Sequence, residues 1–234
     1  MAVCPRRPDQ AAMMMTRFFR RLPMLMAAVL VACAGGAPPP DWKLNAQGAL
    51  ERAQDAYLLG KDAIEVAEFA RARAEIAATG RADLLARLEL VRCATRVASL
   101  VLEPCAGYDA LAQDAAPAEA AYARYLAGQA SAADAALLPQ QHRALAQPGA
   151  GGAAVAAMQD PLARLVAAGV LMRRGLADPL VIASAIDAAS SQGWRRPLLV
   201  WLGVQAHRAE QADDREALAR IRRRMALVGS DTPR

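Results

Sequence analysis

The dipeptide Pro-Leu occurs three times in the C-terminal half of the chain, at a constant interval of 18 residues. Its prolines are Pro161, Pro179 and Pro197. Proline suits the first position of a helix, where its missing N–H forfeits no hydrogen bond. Asp160 and Asp178 precede two of the three prolines as N-caps. An interval of this length accommodates one helix of about 14 residues and a tight turn. The repeat therefore predicts a row of short helices.

Two intervals make 36 residues, close to the ~34 residues of a tetratricopeptide repeat. The chain resembles that family in repeat length and helix-pair pattern, although the signature residues of the repeat do not align. Gly175 and Gly193 are the expected helix stops, and a last helix over Asp213 to Val228 continues the stack. The resemblance implies stacked helix hairpins with a concave surface that binds proteins or peptides.

The N-terminal half has helical patterning too. Helices are expected over 45–59, 62–78, 82–102, 109–126 and 132–146. The third has the widest apolar face, which is typical of a central helix. In the second, helical spacing places four residues on one side, which is expected to be buried: Val66, Phe69, Ala70 and Ile76. The sequence thus predicts an all-α fold of stacked antiparallel helix hairpins, a tetratricopeptide-like α-solenoid.

The clearest break in this pattern is Pro148 to Gly152. It either separates two helical parts, 44–147 and 153–230, or forms a loop within one body. Gly149 to Ala154 formally fit the Gly-x-Gly-x-x-Ala pattern of dinucleotide-binding loops, but no strand precedes them. We therefore expect no cofactor at this break.

The first 32 residues have the three parts of a secretory signal. Three arginines, Arg17, Arg20 and Arg21, precede an apolar run of eleven residues from Leu22 to Ala32. That run is too short to cross a bilayer, which takes about 20 apolar residues. We expect a signal peptide over 1–32, started at Met1 or at one of Met13 to Met15, and a tether over 33–43.

The signal ends in Leu30-Val31-Ala32-Cys33, which resembles the lipobox of bacterial lipoprotein precursors. In that family the cysteine is acylated and the chain is cut just before it. The resemblance implies a lipid on Cys33 and, since Ala34 rather than Asp follows, an anchor in the outer membrane on the periplasmic side. A plain signal peptide with an incidental cysteine is the alternative. Trp42-Lys43-Leu44-Asn45 is similar to the start of uncharacterised proteobacterial lipoproteins, a resemblance that implies no particular activity.

The net charge of the chain is +5, but five arginines and one aspartate lie in residues 1–32. The remainder holds 23 basic and 22 acidic residues, a net charge of +1. The basic excess therefore belongs mostly to the export signal. It gives no argument for a nucleic-acid partner.

Export places Cys93 and Cys105 in an oxidising compartment, where a disulfide between them is favoured. The bridge would close a loop of 13 residues, a constraint of roughly 3 kcal/mol. Two buried thiols are the alternative. The spacing differs from Cys-x-x-Cys, so no redox role is predicted.

No catalytic or metal-binding motif is present in the sequence. His142 and His207 are the chain's two histidines, and their spacing fits no metal site; His207 is expected in the core or an interface. Glu65 and Glu68 are expected to form solvated pairs with cations along one helix. If either lay in a cleft, an enzyme acting on peptidoglycan, or an activator of one, would be favoured.

The densest group of basic and aromatic residues lies near the C terminus. Its members with a possible binding role are Trp194, Arg195, Arg196, Arg222 and Arg223. They could form a contact surface for an acidic partner or lipid head groups. Alternatively the arginines are solvated and Trp194 wedges two helices together. We expect a lipid-anchored envelope scaffold or adaptor with a protein partner and the membrane as its contacts.

Overall fold

The computed structural model describes residues 38–147 and 149–230. All the regular secondary structure of these residues is helical. None of them lies in a β-strand, so the all-α prediction is confirmed. The α-helices are α1 (Asp41–Leu58), α2 (Asp62–Ala77), α3 (Ala82–Ala98), α4 (Ala106–Asp109), α5 (Pro117–Leu126), α6 (Gly152–Ala156), α7 (Pro161–Arg173), α8 (Pro179–Ser191), α9 (Arg195–Gln211) and α10 (Arg215–Ser230). Consecutive long helices pack as neighbours, α1 on α2 and each of α7 to α10 on the next.

The Pro-Leu repeat marks two helix starts as predicted. Pro161 and Pro179 occupy the first turns of α7 and α8. The side chain of Asp160 accepts a hydrogen bond from the N–H of Ala163 at 2.6 Å, and Asp178 accepts one from Val181 at 2.8 Å. These bonds satisfy N–H groups that have no partner within the helix.

Both predicted glycine stops end their helices. Gly175 and Gly193 have φ angles of 70° and 66°, in the left-handed region that glycine enters without a steric penalty. This turn lets the N–H of Leu176 reach a carbonyl of α7 at 2.8 Å, and that of Trp194 reach one of α8 at 3.0 Å. The bonds close the helix ends in the Schellman manner.

The last two helices begin elsewhere than predicted. α9 starts at Arg195, so Pro197 is its third residue and not its first. Proline is tolerated there because the first four N–H groups of a helix have no partner inside it. α10 starts at Arg215 because Asp213 has a φ of 51° and Asp214 caps the helix by accepting from the N–H of Ala217 at 2.9 Å.

The tether is shorter than predicted, because α1 already begins at Asp41. An acidic residue is favoured in the first turn of a helix. Asn45, where the helix was expected to begin, lies inside α1 and donates to Glu75 at 3.4 Å. Of the four residues predicted on the inner side of α2, Phe69 and Ile76 are buried. The prediction is wrong for Val66 and Ala70, which are exposed, whereas Glu65 is buried.

α3 ends at Ala98, four residues before its predicted end. Leu100 has a φ of 57°, and the N–H of Val101 turns back to the carbonyl of Arg96 at 3.0 Å.

The segments 109–126 and 132–146 are not continuous helices either. Alanine content alone predicted them, but prolines interrupt both, and 3-10 helices form at Ala112–Asp114, Ala132–Leu137 and Gln140–Ala146.

α3 is central, as its wide apolar face predicts. It contacts α1 and α2 as well as α4, α5 and α7. The Nε1–H of Trp201 on α9 donates to the carbonyl of Ala98 at 3.0 Å, and Trp201 is fully buried. One core cluster includes residues on both sides of the predicted break, so the chain from Asp41 onward forms one compact unit.

Candidate functional site

Two adjoining depressions flank α3 and share Arg87 and Val91, which lie one turn apart on that helix. We call them together the α3 groove. One depression has a volume of about 380 Å³ and lies between α3, α5 and the segment from Leu137 to Pro139. The other has a volume of about 220 Å³ and lies between α3, the start of α1 and Ile76 of α2.

The walls of the α3 groove are mostly apolar. The apolar side chains with the greatest bulk are Trp42, Leu50, Ile76, Leu84, Leu88, Leu90, Val91, Tyr122, Leu137, Leu138 and Pro139. Concave apolar surfaces with a few placed polar groups are the usual form of binding sites, whose volumes are about 300–1,000 Å³. The groove has the size to take several side chains of another molecule.

The polar groups of the groove are few and specifically placed. Glu119 lies in the first turn of α5, where the helix N terminus favours a carboxylate. It is only 6% exposed, and its Oε1 accepts from Nε of Arg87 at 2.8 Å and from Nη2 at 2.7 Å. Lys43, by contrast, is exposed at the other depression. The charge that the groove presents to solvent is therefore cationic.

Cys93 and Cys105 are joined in a disulfide, with their Cα atoms 5.7 Å apart. The early end of α3 allows this, because the chain turns back at Leu100. The bridge borders a cavity of about 220 Å³ lined by Arg92 and Arg96 and by two glutamates. Opposite charges are balanced around this cavity, so it has no clear preference for an ion.

The group from Trp194 to Arg196 is engaged in the fold. Trp194 is half-buried and packs against the main core, as in the wedge interpretation. Arg196 donates from Nε to the carbonyl of Tyr57 at 2.7 Å, stacks 4.4 Å above the Tyr57 ring and pairs with Asp62. Arg195 is half-buried beside it. Arg196 thus joins α9 to the turn between α1 and α2.

Arg222 and Arg223 are both exposed on α10. Arg222 lies 3.7 Å from Glu210 of α9, an ion pair with both side chains more than half exposed. Such pairs contribute little to stability. α10 has one buried residue, Ile221, which fixes it to the end of the stack.

The carboxylates considered for catalysis lie in no open cleft. Glu65 is 4% exposed and accepts from Arg92 at 2.8 Å and 3.2 Å, beside a crevice of about 10 Å³. Glu68 pairs with Arg52 at 2.9 Å and with Arg71 at 3.3 Å. The prediction of solvated pairs along one helix is therefore wrong for Glu65, whose partner comes from α3. Its ion pair leaves no room for a substrate.

His142, and not His207, is the core histidine. His142 is 2% exposed, and its Nδ1 is hydrogen bonded to the hydroxyl of Tyr125 at 3.0 Å. Burial lowers the pKa of His142 to about 4, against the opposing charge of Asp160. Burial also raises the pKa of Tyr125. His207 is exposed on α9 next to Gln211, so it does not lie in the core.

Cys33 lies outside the described residues. Within the described part of the chain, no helix is both long and apolar enough to cross a membrane. The same part holds no group of three or more His, Cys, Asp or Glu side chains arranged to bind a metal ion.

Comparison with known proteins gives no relative for this chain. No family model matches it, and no curated protein and no solved structure is significantly similar to it.

The residues of the α3 groove were not predicted as a site. The wide apolar face that the sequence predicts for the third helix includes Leu84, Leu88 and Val91, and it forms the floor of the groove. The wall formed by Leu137 to Pro139 could not be predicted, because it depends on the break between two 3-10 helices. The pairing of Arg87 with Glu119, 32 residues away, has no signal in a single sequence.

Acidification should destabilise the protein through His142. Its pKa of about 4 in the folded state lies below the ordinary value of 6.5, so the unfolded state binds the proton more readily. The contribution of His142 is complete above pH 6.5 and is lost as the pH falls toward 4. Between pH 7 and pH 5 we expect this group to remove about 2 kcal/mol from the free energy of unfolding.

Urea unfolding at the two pH values measures this loss. His142→Asn keeps an acceptor for Tyr125 but does not titrate, so the loss should shrink by about that amount. Arg124 holds the pKa of Asp134 below its usual value, so Asp134 stays ionised in this range. His207→Asn is the surface control and should behave as wild type. An undiminished pH dependence in His142→Asn would contradict the prediction.

Proposed function

We propose that the protein is a lipid-anchored adaptor of the bacterial envelope that binds a segment of another protein in the α3 groove. The observation that supports this most is the groove itself. It is an apolar surface on the central helix of the stack, and cationic groups stand at its rim. Large contiguous apolar surfaces on a folded chain commonly mark interaction sites.

The position of the groove agrees with a binding role. Its floor is part of α3, whose other side packs on α7 and is fixed by the main core. A binding surface on a rigid element is already organised before its partner arrives, which lowers the entropic cost of association. The groove also includes a wall at Leu137 to Pro139, where one 3-10 helix ends and the next begins.

The membrane anchor is proposed from the lipobox-like residues that end in Cys33. Eight residues separate Cys33 from Trp42, which lines the groove. A lipid on Cys33 would therefore keep the groove near the periplasmic face of the outer membrane. Retention there takes more than one acyl chain, because a single chain binds a bilayer only marginally.

The anchor is tested by Cys33→Ala. This variant should lose labelling by radioactive palmitate, because the thiol that accepts the lipid is absent, and it should remain unprocessed or soluble on fractionation. Cys4→Ala changes a cysteine ahead of the signal arginines and should label as wild type. Palmitate labelling of Cys33→Ala at the wild-type level would contradict the anchor.

The binding role is tested by photocrosslinking in cells. A benzophenone amino acid placed at Gln47, which is exposed and lines the groove, should form a discrete adduct with an envelope protein. The same amino acid at Ala67, an exposed position on α2 that does not line the groove, should not form it. Adding Val91→Asp should remove the adduct, because a charge then stands between the two depressions. Equal adducts at both positions, or none above background at Gln47, would contradict the proposed function.

A further inference from the structure

The rim of the α3 groove has a definite charge pattern. Three charged residues line the groove, namely Lys43, Arg87 and Glu119. The Arg87 side chain is 64% exposed, whereas that of Glu119 is 6% exposed and lies beneath it. A molecule that enters the groove meets the two cations first.

Arg87 has donors to spare for a second acceptor. A guanidinium carries five N–H groups, and the Nε and Nη2 atoms of Arg87 both turn to a single oxygen of Glu119. Because Glu119 offsets the charge of Arg87, Lys43 supplies the net positive charge of the groove lining. Lys43 is exposed, so it can turn toward a bound carboxylate at little cost in desolvation.

The shape of the groove favours a peptide over an acyl chain. The two depressions lie on either side of Arg87 and Val91 on α3. Separate side chains of one peptide can fill separate depressions, as apolar anchors at helical spacing do in groove-binding helices. A single acyl chain needs one continuous apolar channel, whereas the charged side chain of Arg87 stands between the two depressions.

Resting on the proposed function, we infer that the segment bound in the α3 groove is acidic and amphipathic. Its apolar side chains enter the two depressions, and a carboxylate pairs with Lys43. Arg87 donates to the same or a second carboxylate from the side away from Glu119. The complementarity of charge sets which segments bind, while the apolar contacts provide most of the affinity.

The test is selection from a random 12-residue phage-displayed peptide library on the chain from Ala34 to Arg234, which contains the whole compact unit. The chain has two lysines, Lys43 in the groove and Lys61 at the exposed turn between α1 and α2. Lys43→Glu is therefore the test variant and Lys61→Glu its matched control. Val91→Asp and Gln47→Trp serve as groove-blocking variants, and the second fills a depression from an exposed position without touching the core.

Wild type and Lys61→Glu should select peptides that combine apolar residues with Asp or Glu at about three times the input frequency or more. In Lys43→Glu that enrichment should disappear, and a synthetic peptide from the wild-type pool should bind about tenfold more weakly, because an attraction is replaced by a repulsion. Either groove-blocking variant should abolish its binding.

The failures of the two proposals are distinguishable. The selected peptides could be apolar without acidic enrichment and still fail to bind the groove-blocking variants. That result would overturn the charge inference but not the proposed function. Selected peptides that bind both groove-blocking variants as well as wild type, or no selection above background, would overturn both. Displacement of the peptide by oleate would indicate that the groove binds an acyl chain. A dimer in light scattering that Gln47→Trp abolishes would indicate that it binds a second copy of the chain. Either result would overturn the inference.

Discussion

The approach of α7 to α3 at Gly169 determines how the two halves of the chain come together. A Cβ atom at Gly169 would lie 2.3 Å from the carbonyl oxygen of Val97 and 2.8 Å from its side chain, distances that real Cβ atoms do not adopt. Only glycine lets the two backbones pass so closely. The next residue of α3, Ala98, accepts the indole N–H of Trp201, so α7 and α9 are both fixed to the same end of α3.

This arrangement gives α3 two different roles on its two sides. Toward α7 and α9 it contributes fully buried residues such as Val97 to the main core. Along its outer side, Leu84 and Val91 stay half-buried and form the groove floor. The apolar face of α3 is wider than the part that the core covers, so some of it remains available to a partner. The width of this face can be predicted from the spacing of apolar residues in the sequence. The rigid side of α3 holds the binding side in place.

The C-terminal repeat was predictable because its signals are local. Asp160, Pro161 and Gly175 act within one turn of their own helix, and each does in the structure what its residue type favours. Predictions failed where distant residues decide the outcome. Arg92 draws the Glu65 carboxylate inward from another helix, which turns Val66 out to solvent. Leu100 adopts a left-handed φ despite its side chain, and the spacing of apolar residues does not predict that conformation. The α3 groove combines both cases: its floor follows from spacing, but its wall and its ion pair depend on long-range contacts.

The close contact of α3 with α7 is tested most directly by two matched substitutions in helix interiors, measured as free energies of unfolding in urea. Gly169→Ala places a methyl group against Val97 and should destabilise the protein by about 1–3 kcal/mol. Gly203→Ala on α9 meets no atom within 4 Å and should be neutral or stabilising by up to about 1 kcal/mol, since alanine is the better helix former. If the two substitutions changed the free energy of unfolding by the same amount and in the same direction, α3 and α7 would not be in close contact, and a single body built around α3 would be ruled out.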